Sequence, residues 1–291
     1  MPLSPFTIDE STFLKQNVCL PPLPRTLLQV VQVIHSKTSG AAEVTELVSR
    51  DAAMVTHLLK VVNSAYYALP RKIGNLQHAI AYLGLGEVSR ICLTLSVINS
   101  LKPEDKVELQ YFWHHSYLTA LIAKTLVKEF RQVTDIGELY AAALLHDVGQ
   151  LLYQRFYPEH FAQLRHYCRE NGVFLVDAEE HFGFPSHLTF GTILCDHWGL
   201  PPAIRRACSF HELRDLRTFA HRADGEAFDV IITASNLIAG LATAKLNEHL
   251  KEEVTTEIRR ILETSKEQFL VFLGEVYELE RKADGAITQM I

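Results

Sequence analysis

Apolar residues recur at intervals of three and four along nearly the whole chain, and this periodicity restricts the fold more than any other feature. Leu27, Val30, Val31 and Ile34 follow it, as do Met54, Leu58, Val61 and Val62. Each set lines one face of a helix, whereas the strict two-residue alternation of a half-buried strand is absent. The spacing predicts an all-α chain of roughly a dozen helices with little sheet. Punctuation agrees: PPLP at 21–24, LPRKIGN at 69–75, KPED at 102–105, FYPEH at 156–160 and GLPP at 199–202 are loops or helix starts. Asp51 and Asn75 stand where helix caps belong. The polar stretch at 102–108 is the expected seam between an N-terminal helical half and a central half that pack together. Between 251 and 281, Val254, Ile258, Leu262, Phe269, Leu273 and Val276 give an amphipathic helical pair suited to packing on the core or on a partner.

With 48% hydrophobic content in 291 residues, the chain can bury a large core. A net charge of −6 provides no general attraction to phosphate backbones, and no sizeable basic patch is present, so no nucleic-acid partner is expected. Cys19, Cys92, Cys168, Cys195 and Cys208 are odd in number, far apart and mostly flanked by apolar residues. Such cysteines are expected to be reduced core thiols of a cytoplasmic protein. The N-terminus lacks the basic start and apolar stretch of a secretory signal. The longest apolar stretch, 230–244, is interrupted by Thr233, Ser235 and Asn236 and falls short of the ~20 residues a spanning helix needs. No membrane anchor is expected.

The sharpest chemical string is LYAAALLHDVGQLL at 139–152, an apolar helix ending in His146 and Asp147 before Gly149. An imidazole beside a carboxylate at the end of a buried helix is costly without a partner. A divalent metal is one such partner, because His nitrogen and Asp oxygen together suit zinc, iron or manganese; a His/Asp pair hydrogen-bonded within the core is the other. Further histidines bear on this choice. His115 shares a helical face with Leu118, Ile122 and Leu126, while His114 is turned toward a neighbouring surface. His187 shares a face with Gly191, Leu194, Cys195 and Trp198, and His211 follows a short helix opened by Pro201 and Pro202. Glu212 beside it is either a neighbour of the ligands or a solvated charge.

Two stretches, RDAAMVTHLLKVVNSAYY at 50–67 and HAIAYLGLGEVSRICLTLSV at 78–97, closely resemble the HDOD signalling domain, whose signature runs from a DPAL-like start through an NSAYY-like end to an AI..LG element. LPPLP at 20–24, FWHHS at 112–116, AALLHDVGQLL at 142–152 and DHWGLPPAIRRACSFHE at 196–212 follow in that domain's order. The resemblance covers about residues 20–217 and implies a leader at 1–19, an HDOD domain at 20–217 and C-terminal helices at 218–291 that complete or extend an HD-like core. Residues 63–67, the most distinctive element, read as architecture: Asn63 bonding locally, Ala65 permitting close approach, the tyrosines filling space.

The HDOD domain is related to the HD superfamily of metal-dependent phosphohydrolases, including the HD-GYP cyclic-dinucleotide phosphodiesterases. In the active enzymes a His from an early helix, the HD pair and a later Asp bind metal, with further histidines in HD-GYP proteins. Carried over by motif, this implies His115 as the first His, His146 and Asp147 as the pair, and His187 and His211 as the additional ligands. The helix DVIITASNLIAGLA at 229–242 places Asn236 at the later Asp. Asparagine is neutral and a weaker donor, so a charge that offsets the cation is lost there; Asp229, two turns earlier, offers a replacement carboxylate. The GYP tripeptide is missing, since His211 and Glu212 run into LRDLR. The expected cofactor is thus a divalent transition metal: iron, zinc or manganese.

The resemblance implies a bacterial signal-transduction protein, a non-catalytic regulatory and interaction module with a partly retained metal site. Its expected partners are signalling proteins, a nucleotide ligand, and a second copy meeting it through the C-terminal helices. The alternative is a metal-dependent phosphohydrolase acting on a phosphoester such as a cyclic dinucleotide or nucleotide. That reading requires a cation for the phosphate oxygens, for which Lys124 and Arg155 are candidates, although neither stands in a phosphate-binding motif and no GxxxxGK[ST] loop is present.

Overall fold

The computed structural model describes residues 3–7, 45–46, 48–49, 51–64, 66–101, 106–129, 136–219 and 227–290, and every regular element among them is an α-helix. The chain divides into two units. One comprises Pro21–Lys102 with Lys282–Ile291, the other Met1–Leu20 with Pro103–Arg281. One of the three places where the chain passes between them, Lys102 to Pro103, falls in the polar stretch marked as a seam.

In the smaller unit, α1 (Ala52–Val62), α2 (Leu76–Leu83) and α3 (Leu85–Leu101) pack on one another. Asp51 opens α1 by accepting the Met54 amide at 2.9 Å, and Asn75 opens α2 by accepting the His78 amide at 2.8 Å. Helix α1 buries Met54, Leu58, Val61 and Val62, the face its spacing marks. Asn63 then closes the following loop: its Oδ1 accepts the Ile73 amide at 2.8 Å, and its Nδ2 donates to the Leu59 and Ile73 carbonyls at 2.7 and 2.9 Å. Tyr66 is buried and meets Tyr67 edge-on at 4.9 Å, while the Tyr67 hydroxyl donates to Glu87. These residues serve packing; Ala65 and the 20–24 motif lie outside the described residues. Gly84 takes a φ of +83°, open to glycine at no steric cost, and α2 and α3 meet there at a bend of 120°. No single helix among the described residues is long and apolar enough to cross a membrane.

The larger unit contains α4 (Lys106–Glu129), α5 (Ile136–Leu145), α6 (Val148–Phe156), α7 (Pro158–Asn171) and α8 (Leu175–Phe182). It continues through α9 (His187–Trp198), α10 (Pro202–Ser209), α11 (Leu213–Phe219), α12 (Ala227–Thr243), α13 (Glu248–Ile261) and most of α14 (Lys266–Met290). Helix α4 packs on α5 and α12, α9 packs on α6 and α10, and α5 also meets α10. Glycine decides how α6 and α9 cross. A Cβ at Gly149 would stand 1.9 Å from the His187 carbonyl oxygen and 2.7 Å from the Gly191 amide nitrogen. The two backbones therefore touch, bringing the start of α9 against the start of α6.

Residues 3–7 also lie on this unit. Phe6 stacks on Tyr157 with ring centres 4.7 Å apart and meets Phe184 at 5.7 Å, and the Leu3 amide donates to Gln163 at 3.0 Å. Cys92, Cys168, Cys195 and Cys208 are free thiols; Cys19 lies outside the described residues. Helix α14 buries Phe269, Phe272 and Val276 and exposes Leu270, Val271 and Tyr277.

Candidate metal centre

His146 and Asp147 occupy the break between α5, which ends at Leu145, and α6, which starts at Val148. Asp147 stands at the N-cap of α6 with φ −95° and ψ 11°, yet its side chain makes no capping bond. Its carboxylate turns instead into a cluster of imidazoles. Oδ2 lies 3.6 Å from His115 Nε2 and 3.4 Å from His146 Nε2, while Oδ1 lies 3.4 Å from His187 Nε2 and 3.2 Å from His211 Nε2. The Cys208 thiol donates to the Leu145 carbonyl at 3.2 Å, supporting the break from below.

The outer nitrogens of three of these rings are held. His146 Nδ1 donates to the Ala143 carbonyl at 2.7 Å, and His211 Nδ1 donates to the Ala207 carbonyl at 2.7 Å. His187 Nδ1 donates to Glu179, 3.0 and 3.1 Å from its two oxygens, and the His187 amide donates to the same carboxylate at 2.8 Å. A hydrogen on Nδ1 leaves the neutral ring's lone pair on Nε2. Three Nε2 lone pairs therefore converge on one carboxylate, each ring fixed from behind by the kind of outer partner that orients metal ligands. Among the described residues, ligand atoms of His115, His146 and Asp147 form one close group, and those of Asp147, His187 and His211 another, all within 4.8 Å inside each group.

Asn236, on α12, enters from the far side. Its Nδ2 donates to the His211 carbonyl at 2.8 Å, which assigns the amide orientation and points Oδ1 at His115 Nε2, 2.7 Å away, and His146 Nε2, 3.2 Å away. All six residues expected as ligands thus share one site. Glu212 joins them with its carboxylate 3.4 Å from His187 Nε2 and 3.6 Å from His211 Nε2. His187 Nε2 and His211 Nε2 stand only 3.1 Å apart. Two bare lone pairs repel at that distance, so either a proton or a cation must lie between them. Imidazole nitrogens with carboxylate and amide oxygens suit zinc, iron or manganese, and the residues present fit such an ion.

Burial is the largest influence on His115, His146, His187, Asp147 and Glu212. It pushes His115 down to about 4, only partly opposed by Asp147. At His146 burial is outweighed by the charge and hydrogen bonds of Asp147, which raise the ring above its usual value. His187, similarly buried, is raised well above its usual value by Glu179, Glu212 and Asp147. Histidines overcome the burial of both carboxylates: His146 and His211 hold Asp147 well below its usual range, and His187 and His211 hold Glu212 below its own. The cluster is closed on most sides, but the His115 side chain retains 23% exposure, against 0% for His146 and His211.

Three expected helpers stand elsewhere. Asp229 is engaged by Arg206 at 2.5 Å, so it is not the replacement carboxylate. Arg155 is exposed, with its guanidinium over the Phe156 ring. Lys124 lies nine residues along α4 from His115, about 13 Å by helical rise. Neither cation is at the site. Sequence reasoning missed Glu179, which sits on α8 among Asp177 and Glu180 with nothing local to single it out.

The sequence profile of the HDOD domain matches residues 20–213. The chain belongs to the HDOD family. The matched span ends before α12, so Asn236 completes the HDOD protein's cluster from outside it. A Treponema pallidum (strain Nichols) protein described only as uncharacterized is 26% identical over 192 residues, 66% of this chain and 37% of that protein. The match thus spans well under two thirds of that relative. Among solved structures, an HDOD domain protein of unknown function from Geobacter sulfurreducens is similar with a TM-score of 0.70 at 22% identity, covering 95% of this chain and 96% of that one. A Shewanella amazonensis SB2B protein named provisionally as a phosphohydrolase gives 0.70 at 18% identity, covering 97% and 98%. A Marinobacter aquaeolei VT8 protein named provisionally for signal transduction gives 0.72 at 18% identity, covering 95% and 61%. At these identities the likeness establishes the HDOD fold.

Proposed function

We propose that this HDOD protein is a regulatory module of signal transduction whose larger unit holds a divalent transition metal and whose surface binds signalling proteins. The convergence of His146, His187 and His211 Nε2 on Asp147, with each Nδ1 tied behind, carries the metal reading. The charged partners recorded for Asp147 and Glu212 among the described residues are all histidines. Among the described residues that set holds no lysine or arginine to meet phosphate oxygens, and this favours regulation over phosphoester cleavage. The exposed Leu270, Val271 and Tyr277 of α14 are the surface on which a second copy would dock. Metal analysis of the purified protein tests the reading: iron, zinc or manganese should be present and lost in His146→Ala.

The partial exposure of His115 favours a second reading, a metal-dependent phosphohydrolase acting on a cyclic dinucleotide or nucleotide. A catalytic metal site keeps an open position, and the cluster opens toward solvent at this residue. A bound divalent cation supplies the Lewis acidity that makes water nucleophilic near neutral pH. Asp147 and Asn236 would then orient that side of the site. Turnover of cyclic di-GMP by the metal-loaded protein, abolished by His146→Ala, would establish this second reading and remove the first.

A further inference from the structure

We infer that Glu212 is a metal ligand, completing a four-donor half-site with His187, His211 and Asp147 that fills before the half formed by His115, His146, Asp147 and Asn236. The inference rests on the metal reading above and adds to it a ligand and an order.

Four ligands at roughly 2.1 Å from a tetrahedral cation are separated from one another by about 3.4 Å, the edge of the tetrahedron. In the first half, His187 and His211 Nε2 are 3.1 Å apart, and Asp147 Oδ1 lies 3.4 and 3.2 Å from them. Glu212 Oε1 lies 3.4 and 3.6 Å from the same two nitrogens. These five separations scatter about the tetrahedral edge, so Glu212 Oε1 stands at ligand spacing from both imidazole nitrogens, as Asp147 Oδ1 does. Glu212 is buried, and its backbone is fixed by its amide donating to Asp215 at 2.9 Å. A solvated charge has no such setting.

The second half is different. His115 Nε2 and Asn236 Oδ1 stand 2.7 Å apart, the distance of a hydrogen bond and shorter than the tetrahedral edge. That bond must break, and the two atoms must separate, before both can bind a cation. This half also has only its share of Asp147 for anionic charge, since Asn236 is neutral; the first half has Asp147 and Glu212. Preorganisation and charge therefore favour the same half, and hard divalent ions respond to ligand charge.

Titrating metal-free, full-length protein with Co(II) tests this, because the visible spectrum of Co(II) reports coordination geometry. The expected result is a four-coordinate spectrum that saturates at one equivalent, followed by a weaker second equivalent. Glu212→Gln removes the charge, while Glu212→Asp keeps it but withdraws the oxygen by one methylene. Coordination predicts that both variants weaken the first step by at least the ~10–100-fold that loss of an outer partner costs. A charge effect alone predicts that Glu212→Asp binds as the parent does, which would overturn the inference. Asn236→Asp adds charge to the second half and removes the bond from Asn236 to the His211 carbonyl, so it should tighten the second step and leave the first no tighter; a first step that tightens while the second does not would overturn the order of filling. If Glu212→Gln fails to fold, as judged by helical circular dichroism without metal, Glu212→Asp and Asn236→Asp decide the matter. Absence of Co(II) uptake by the unsubstituted protein would remove the metal reading itself, a failure distinct from uptake that ignores residue 212.

Discussion

Asp147 stands at a helix start without capping it, and its oxygens are divided between two pairs of imidazoles. Without metal, such a cluster makes stability depend on pH. Above about 6.5 the unfolded histidines have lost their protons, and His115, held down to about 4, is neutral in either state. His187 and His146 are raised, so the native protein still binds protons that the unfolded chain has released. Their contribution is complete below the ordinary imidazole value and fades as pH rises through the raised values. Thermal melts of metal-free protein should show a midpoint that falls above neutrality, while saturating metal flattens the dependence. His115, His146, Asp147, His187, His211 and Asn236 were all legible in the sequence, because motif order and helical faces identify them. Glu179 was not, since three acids on one short helix look alike until the fold shows which is buried behind His187.

At the scale of elements, the crossing of α6 over α9 seats His187 beside Asp147, and Gly149 permits it. Gly149→Ala would force a methyl into the His187 carbonyl, and overpacking of this kind costs about 1–3 kcal/mol. The variant should melt at lower temperature and also lose metal, since the carbonyl that must move belongs to a ligand. Differential scanning calorimetry with metal analysis on the same sample checks both effects. The glycine itself was visible in HDVG, but its reason was not: the partner backbone lies on a helix far along the chain. Conversely, Asp51 and Asn75 were readable as caps because a cap bonds an amide three residues away.

For the molecule as a whole, the helical class followed from periodicity, a local property. The division into units did not, because the segment at 3–7 joins the larger unit through long-range contacts such as Leu3 with Gln163. The site draws on α4, the α5–α6 break, α9, the end of α10 and α12, spanning the 121 residues between His115 and Asn236. A cation there ties distant segments together. At a free concentration near a hundred times its Kd it should add roughly 2.7 kcal/mol, raising the midpoint by about 5–10 °C for a domain of this size. A chelator should reverse the rise. The order of the donors along the chain has a further consequence. Synthesis runs from the N-terminus, so Asp147, His187, His211 and Glu212 all leave the ribosome before Asn236, and the half-site assigned to fill first is also the first to be made.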